Sequence, residues 1–205
     1  MPIKRLSQSG LLTFAKHSSV LAGNAPFIPF TSDFELLDSR VLSSSAANIT
    51  FSSLNTLAAG YKHLQIRAIS RDTRTISGSN NVIMTFNGDS ASNYYQLHFL
   101  KGDGSNGSTG AEGAASYILP YTQPSANDTA DAFAVAVIDL LDAFSSSKYT
   151  TSRSFRGVNL AAAYSTQVGL SSGFWMNTAA LTEIKLQPII GDFAAKTMFS
   201  IYGVK

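Results

Sequence analysis

The feature that most constrains the fold is a succession of short segments, from residue 34 to the end of the chain, in which apolar and polar residues alternate. In residues 62–70, for example, Leu64, Ile66 and Ala68 fall on one face of an extended chain, and mainly polar side chains fall on the other. About ten such segments follow one another at intervals of roughly ten residues, and helical periodicity is almost absent. This pattern predicts an all-β fold, a jelly-roll-like antiparallel β-sandwich of about ten strands.

Two stretches indicate where the core lies. Residues 130–141 are apolar on both faces, which predicts a central strand covered on both sides; a helix is the alternative, but the alternation of the large residues favours the strand. Residues 173–204 predict two further core strands joined by a turn at Gly191-Asp192. The only tryptophan, Trp175, has apolar neighbours there, which favours a place in the core or an interface over a ligand-binding platform.

The first 32 residues differ from the rest. They follow neither period, are punctuated by glycine and proline, and contain three basic residues and no acidic one. We therefore predict two parts, an extended N-terminal arm over 1–32 and a β-sandwich domain over 33–205. The arm either orders on a partner or folds back over its own domain, and the first alternative is favoured because the segment is too apolar for a solvated tail. Its predicted partner-binding residues are Lys4, Arg5, Leu11, Leu12, Phe14, Lys16, Phe27 and Phe30.

Composition excludes several classes of function. The chain has no cysteine, so disulfides and thiolate metal sites are excluded. Its formal net charge is +2 and only 14% of its residues are charged, with no concentrated basic stripe. No run approaches the roughly 20 apolar residues of a membrane helix. We therefore expect no nucleic-acid partner and no membrane insertion, and the sparse charge is typical of a protein packed against others.

No motif predicts an active site, a cofactor or a metal. The glycine-rich segment 101–115 contains a literal G-x-G-x-x-G at 102–107, but no helix follows it to receive a phosphate, so it predicts a surface loop. Within that loop, Asp103, Ser105 and Asn106 are candidates for an exposed recognition loop. The histidines are far apart, and a catalytic triad has no sequence support. Asp139 and Asp142 fit solvated strand-end aspartates better than a catalytic pair, so we do not expect an enzyme.

Several segments, in this order, resemble a known group of proteins. They are Phe34-Glu35-Leu36-Leu37, Tyr61 to Arg67, Phe86-Asn87-Gly88-Asp89 with Asn93-Tyr94, Ser172 to Ala180, Gly191 to Ala195, and Phe199-Ser200-Ile201-Tyr202-Gly203. Together they resemble tailed-bacteriophage virion structural proteins over residues 34–204. The resemblance implies a non-enzymatic β-sandwich on the exterior of the virion, made in the host cytoplasm, and it brings no catalytic residues.

The resemblance leaves two placements open. A capsid decoration (cement) protein would dock through its arm, with the major capsid protein as its partner and homo-oligomers expected. A tail or fibre component would instead touch the host, with a host surface glycan as its candidate ligand. The chain is short and has no repeat or coiled-coil shaft, which favours decoration. A carbohydrate-binding module, using its loops and tyrosines, is the alternative from a different class.

Overall fold

The computed structural model describes residues 33–102, 107–110, 113–160 and 167–205. Within them lie thirteen strands and one helical turn. In chain order they are β1 (Phe34–Val41), β2 (Ile49–Ser52), α1 (Leu54–Leu57), β3 (His63–Ser70), β4 (Ser79–Phe86), β5 (Tyr94–Gly102), β6 (Gly107–Gly110), β7 (Ala114–Ala115), β8 (Ile118–Pro124), β9 (Ala134–Leu141), β10 (Thr150–Val158), β11 (Gln167–Trp175), β12 (Glu183–Pro188) and β13 (Met198–Val204). No helix among the described residues is long and apolar enough to cross a membrane.

The strands form two antiparallel sheets. The larger has the order β1-β13-β3-β9-β10-β11-β5-β6, with β7 also paired to β5, and the smaller has the order β2-β12-β4-β8. The chain changes sheet at every step from β1 to β5, enters and leaves the smaller sheet again at β8, and does so once more at β12. This alternation gives the two four-stranded layers of a jelly roll, and the predicted all-β sandwich is confirmed. Strands β10, β11 and β5 extend the larger layer beyond β9.

The core lies between the two inner faces. Every second residue of the core strands is buried, as the period of two requires. Leu64, Ile66 and Ala68 of β3 are buried, as the alternation predicts. Trp175 is buried and belongs to the core. The main cluster also draws on the smaller sheet, including Phe51, Val82, Met84, Phe86, Ile184 and Leu186.

Two expectations from the sequence need correction. Residues 134–141 form a strand, but the prediction that both of its faces are covered is wrong for the described residues, because Val135 is 53% exposed. The glycine-rich segment 101–115 is not wholly a loop, since β6 and β7 lie within it and pair with β5. Residues as small as glycine and alanine carry the hydrogen bonds of a strand without the alternating side chains that identify one.

Candidate functional site

The outer face of the larger sheet carries a continuous group of apolar side chains, all of them exposed except Val137, which is half-buried. Leu100 on β5, Leu170 on β11 and Phe155 on β10 are direct cross-strand neighbours, and Val137 on β9 continues the row. Phe155 exposes 57% of its surface and Leu170 exposes 49%. We call this row and its two nearest neighbours the outer apolar face, which consists of Leu100, Val135, Val137, Phe155, Val168 and Leu170.

A second row runs beside the first, two residues further along each strand. Val168 and Val135 flank Gly157 of β10 on either side. Beyond Val135 the row continues through Ile69 on β3 towards Val41 on the edge strand β1. Because Gly157 has no side chain, nothing on β10 covers the space between the two valines. A shallow depression of about 600 Å³ is lined by residues of the first row.

Charged and polar groups border the outer apolar face. Arg153 Nε donates to Asp139 Oδ2 at 2.9 Å, and Gln65 Nε2 donates to Asp139 Oδ1 at 2.8 Å. Arg153 is largely exposed, so this ion pair contributes little to stability. An apolar centre with a polar border is the usual arrangement of a protein–protein interface.

A ladder of stacked aromatic rings lies on the same outer surface, at the opposite end of these strands. The rings of Tyr95 and Phe174 are 5.5 Å apart between centroids, and those of Phe174 and Tyr149 are 5.9 Å apart. Tyr95 and Tyr149 are both exposed. Exposed aromatic side chains are enriched at interfaces, because they offer a large contact area with few rotatable bonds.

Exposing the outer apolar face to water is energetically unfavourable. Scattered apolar side chains are normal on protein surfaces, but adjacent ones on four neighbouring strands form a contiguous patch. Contiguous exposed patches mark sites that contact other molecules. The outer apolar face is therefore the best candidate for a functional site within the described residues.

The site residues predicted from the sequence are not among those that form the outer apolar face in the described part of the chain. The eight arm residues from Lys4 to Phe30, and Asp103, Ser105 and Asn106, lie outside the described residues. The two aspartates considered as a pair have separate partners, since Asp139 contacts Arg153, and Asp142 lies 3.4 Å from Nζ of Lys148. In the part of the chain that the structure describes, no group of three or more histidine and acidic side chains could hold a metal ion.

Sequence reasoning missed the outer apolar face, although a signal for it was present. Apolar residues on both faces of a strand predict burial on both faces, and this is the prediction that the pattern of residues 130–141 gives. Phe155, which stands between Ser154 and Arg156 in the mainly polar run TTSRSFRGV, is a second signal. What distinguishes an exposed apolar position from a covered one is whether a second layer lies over it, and that depends on the topology.

Comparison with known proteins adds no family: no protein-family model and no curated protein sequence matches this chain. The class is therefore defined by structure alone. The molecule is a jelly-roll β-sandwich whose larger sheet is extended by three long strands and carries an apolar patch on its outer face.

Proposed function

We propose that this protein is a non-enzymatic structural component of a tailed-bacteriophage virion, a decoration protein on the exterior of the capsid. Docking would use the outer apolar face together with the N-terminal arm. The observation that carries the docking role is the exposed cross-strand row around Phe155 and Leu170. The virion assignment follows from the resemblance of residues 34–204, with the major capsid protein as the expected partner.

The energetics of the outer apolar face suit a repetitive partner. Burying the exposed half of a leucine or phenylalanine side chain contributes on the order of 1 kcal/mol. The six side chains together then contribute only a few kcal/mol, and the loss of translational and rotational freedom on binding opposes association. A single copy would bind weakly. On a capsid lattice, oligomers of the protein engage several equivalent sites at once, and such multivalency strengthens weak contacts by large factors.

The number of copies in each particle tests the placement. We expect quantitative mass spectrometry or gel densitometry of purified virions to find on the order of hundreds of copies, as lattice decoration requires. A few to a few dozen copies would instead support the alternative, a tail or fibre component that contacts the host. Absence from purified virions would overturn the virion proposal altogether.

A charge placed in the outer apolar face tests the docking role. The double variant Phe155→Asp and Leu170→Asp should fold, because both side chains point to solvent, but it should no longer co-sediment with particles that lack the wild-type protein. The control is Ile76→Asp, which introduces one such charge at an apolar side chain that is 69% exposed in the loop between β3 and β4. Equal binding by the double variant and the control would show that the outer apolar face is not the docking surface.

A further inference from the structure

Arg156 is a cation buried inside the sandwich. It follows Phe155 on β10, so its side chain enters the opposite, inner side of the sheet, where it is only 6% exposed. Among the described residues no carboxylate pairs with it, and its Nε has no hydrogen-bond partner. Burial lowers the pKa of the Arg156 guanidinium, because the charged form has lost its water. Buried charges are normally paired, so an unpaired guanidinium indicates a missing anion.

The guanidinium lines a polar cavity of about 260 Å³ between β8 and the extension of the larger sheet. Lys101 also lines it, so the cavity has two cationic side chains and no acidic one among its described lining residues. Asn81 and Gln167 contribute amides. The hydroxyls of Thr122 and Ser171 are buried there without hydrogen-bond partners. These groups are positioned to bind a polar ligand, since buried polar atoms are rarely left unsatisfied.

The surrounding backbone keeps this cavity open for Arg156. Gly169 of β11 lies directly opposite Arg156 on the neighbouring strand. A Cβ atom at Gly169 would lie 2.8 Å from Nε of Arg156 and 3.0 Å from the carbonyl oxygen of Leu100, so any larger residue would displace the arginine or the strand. The wall formed by β8 is held independently of Arg156, because Gln96 Oε1 accepts a hydrogen bond from the backbone N–H of Leu119 at 3.0 Å.

We propose that this cavity binds a carboxylate-bearing monosaccharide, a hexuronate unit of an acidic glycan. The planar guanidinium of Arg156 matches a carboxylate through two parallel hydrogen bonds. The surrounding amides and hydroxyls match the hydroxyls of a sugar ring, because both donate and accept hydrogen bonds. The volume corresponds to about nine water molecules, below the roughly 300 Å³ of drug-sized pockets. It therefore suits one sugar ring better than an extended peptide.

This binding site is separate from the proposed docking surface. Phe155 and Arg156 are consecutive residues on opposite faces of β10, so either can be changed while the other remains in place. Glycan binding goes beyond capsid decoration and does not depend on it. If the protein docks on particles but binds no sugar, only the glycan-binding proposal is contradicted.

Calorimetric titration of the full chain with the methyl glycosides of glucuronate and galacturonate tests the site. We expect one of the two to bind, and the corresponding neutral hexoside to bind at least tenfold more weakly. Arg156→Gln should weaken uronate binding at least tenfold. The matched control is Arg153→Gln, which removes the same charge from the same strand on the outer face and should leave binding unchanged. Failure of both uronates to bind wild-type protein, or equal binding by Arg156→Gln, would overturn the proposal.

Two further measurements keep the result interpretable. Acetate and inorganic sulfate serve as sugar-free anions, and binding as tight as that of the uronate would overturn the sugar assignment. Arg156→Met keeps an unbranched, flexible side chain but removes the charged guanidinium, so it should raise Tm while abolishing uronate binding. A lowered Tm with uronate binding intact would show that Arg156 has only a structural role, contrary to the proposal.

Discussion

Asp89 organises the turn between β4 and β5, and its removal should destabilise the fold through the buried tryptophan. Its Oδ2 accepts a hydrogen bond from Nε1 of Trp175 at 2.7 Å and another from Nδ2 of Asn93 at 3.0 Å. Its Oδ1 accepts from the backbone N–H of Ala91 at 2.9 Å. Trp175 is 1% exposed, so water has little access to its indole N–H if the carboxylate is lost.

The magnitude follows from that burial. Asp89→Ala leaves a buried donor unsatisfied and removes hydrogen bonds to a charged acceptor, which together cost about 2 to 3 kcal/mol. Asp89→Asn retains one acceptor oxygen and should lose about 1 kcal/mol. Urea denaturation followed by the fluorescence of Trp175, the only tryptophan of the chain, measures both free energies of unfolding by linear extrapolation.

The same contacts predict a dependence on pH. The hydrogen bond from Trp175, followed by that from Asn93, lowers the pKa of Asp89 below its ordinary value. A carboxyl group with a lower pKa in the folded state stabilises the fold fully above its unfolded pKa of about 3.9. That contribution is lost as the pH falls through the folded pKa, so the difference between wild type and Asp89→Ala should shrink in acid. A free energy of unfolding of Asp89→Ala within about 0.5 kcal/mol of the wild-type value at neutral pH would refute the reasoning.

Two further predictions concern the packing of the sandwich. Gly203→Ala should destabilise the protein by about 1 to 3 kcal/mol in urea denaturation, because the added Cβ would lie 2.5 to 2.8 Å from ring atoms of Tyr61; Gly157→Ala, whose nearest contact is 3.6 Å away, is the control that should be tolerated. Burial raises the pKa of Tyr94 to about 12, so its contribution to stability is complete below the unfolded pKa of about 10 and is lost as the pH rises towards 12. Urea denaturation over that range should show a steeper loss of stability in wild type than in Tyr94→Phe; parallel curves would contradict this.

Most of the strands could be predicted from the sequence, because an alternating pattern reports which side chains of a strand share a face. The faces of β3 and β4 follow directly from Leu64, Ile66 and Ala68 and from Val82, Met84 and Phe86. The same pattern could not identify β6 and β7, whose residues are too small and uniform to alternate. Nor could it show that Val135 is exposed, since the sequence pattern is the same whether or not another layer covers that side chain.

The candidate sites show the same limit. The alternation around Phe155 and Arg156 already requires the two side chains to point in opposite directions. Only the strand order places β10, β11 and β5 beyond β9, where Phe155 meets Leu170 on an uncovered face and Arg156 meets the cavity beside β8. These neighbours are far apart in the sequence, and a local pattern contains no information about such pairings.

The end of the chain shows most clearly what each level decides. Alternation in residues 173–204 determines that Ile184 and Leu186, and likewise Phe199 and Ile201, face one core, and all four are buried. It does not determine that β12 belongs to the smaller sheet and β13 to the larger, on opposite sides of that core. Side-chain period is a local property of one strand, whereas backbone hydrogen bonding selects partners across the whole chain. The outer apolar face and the polar cavity both result from this pairing of strands that are distant in the sequence.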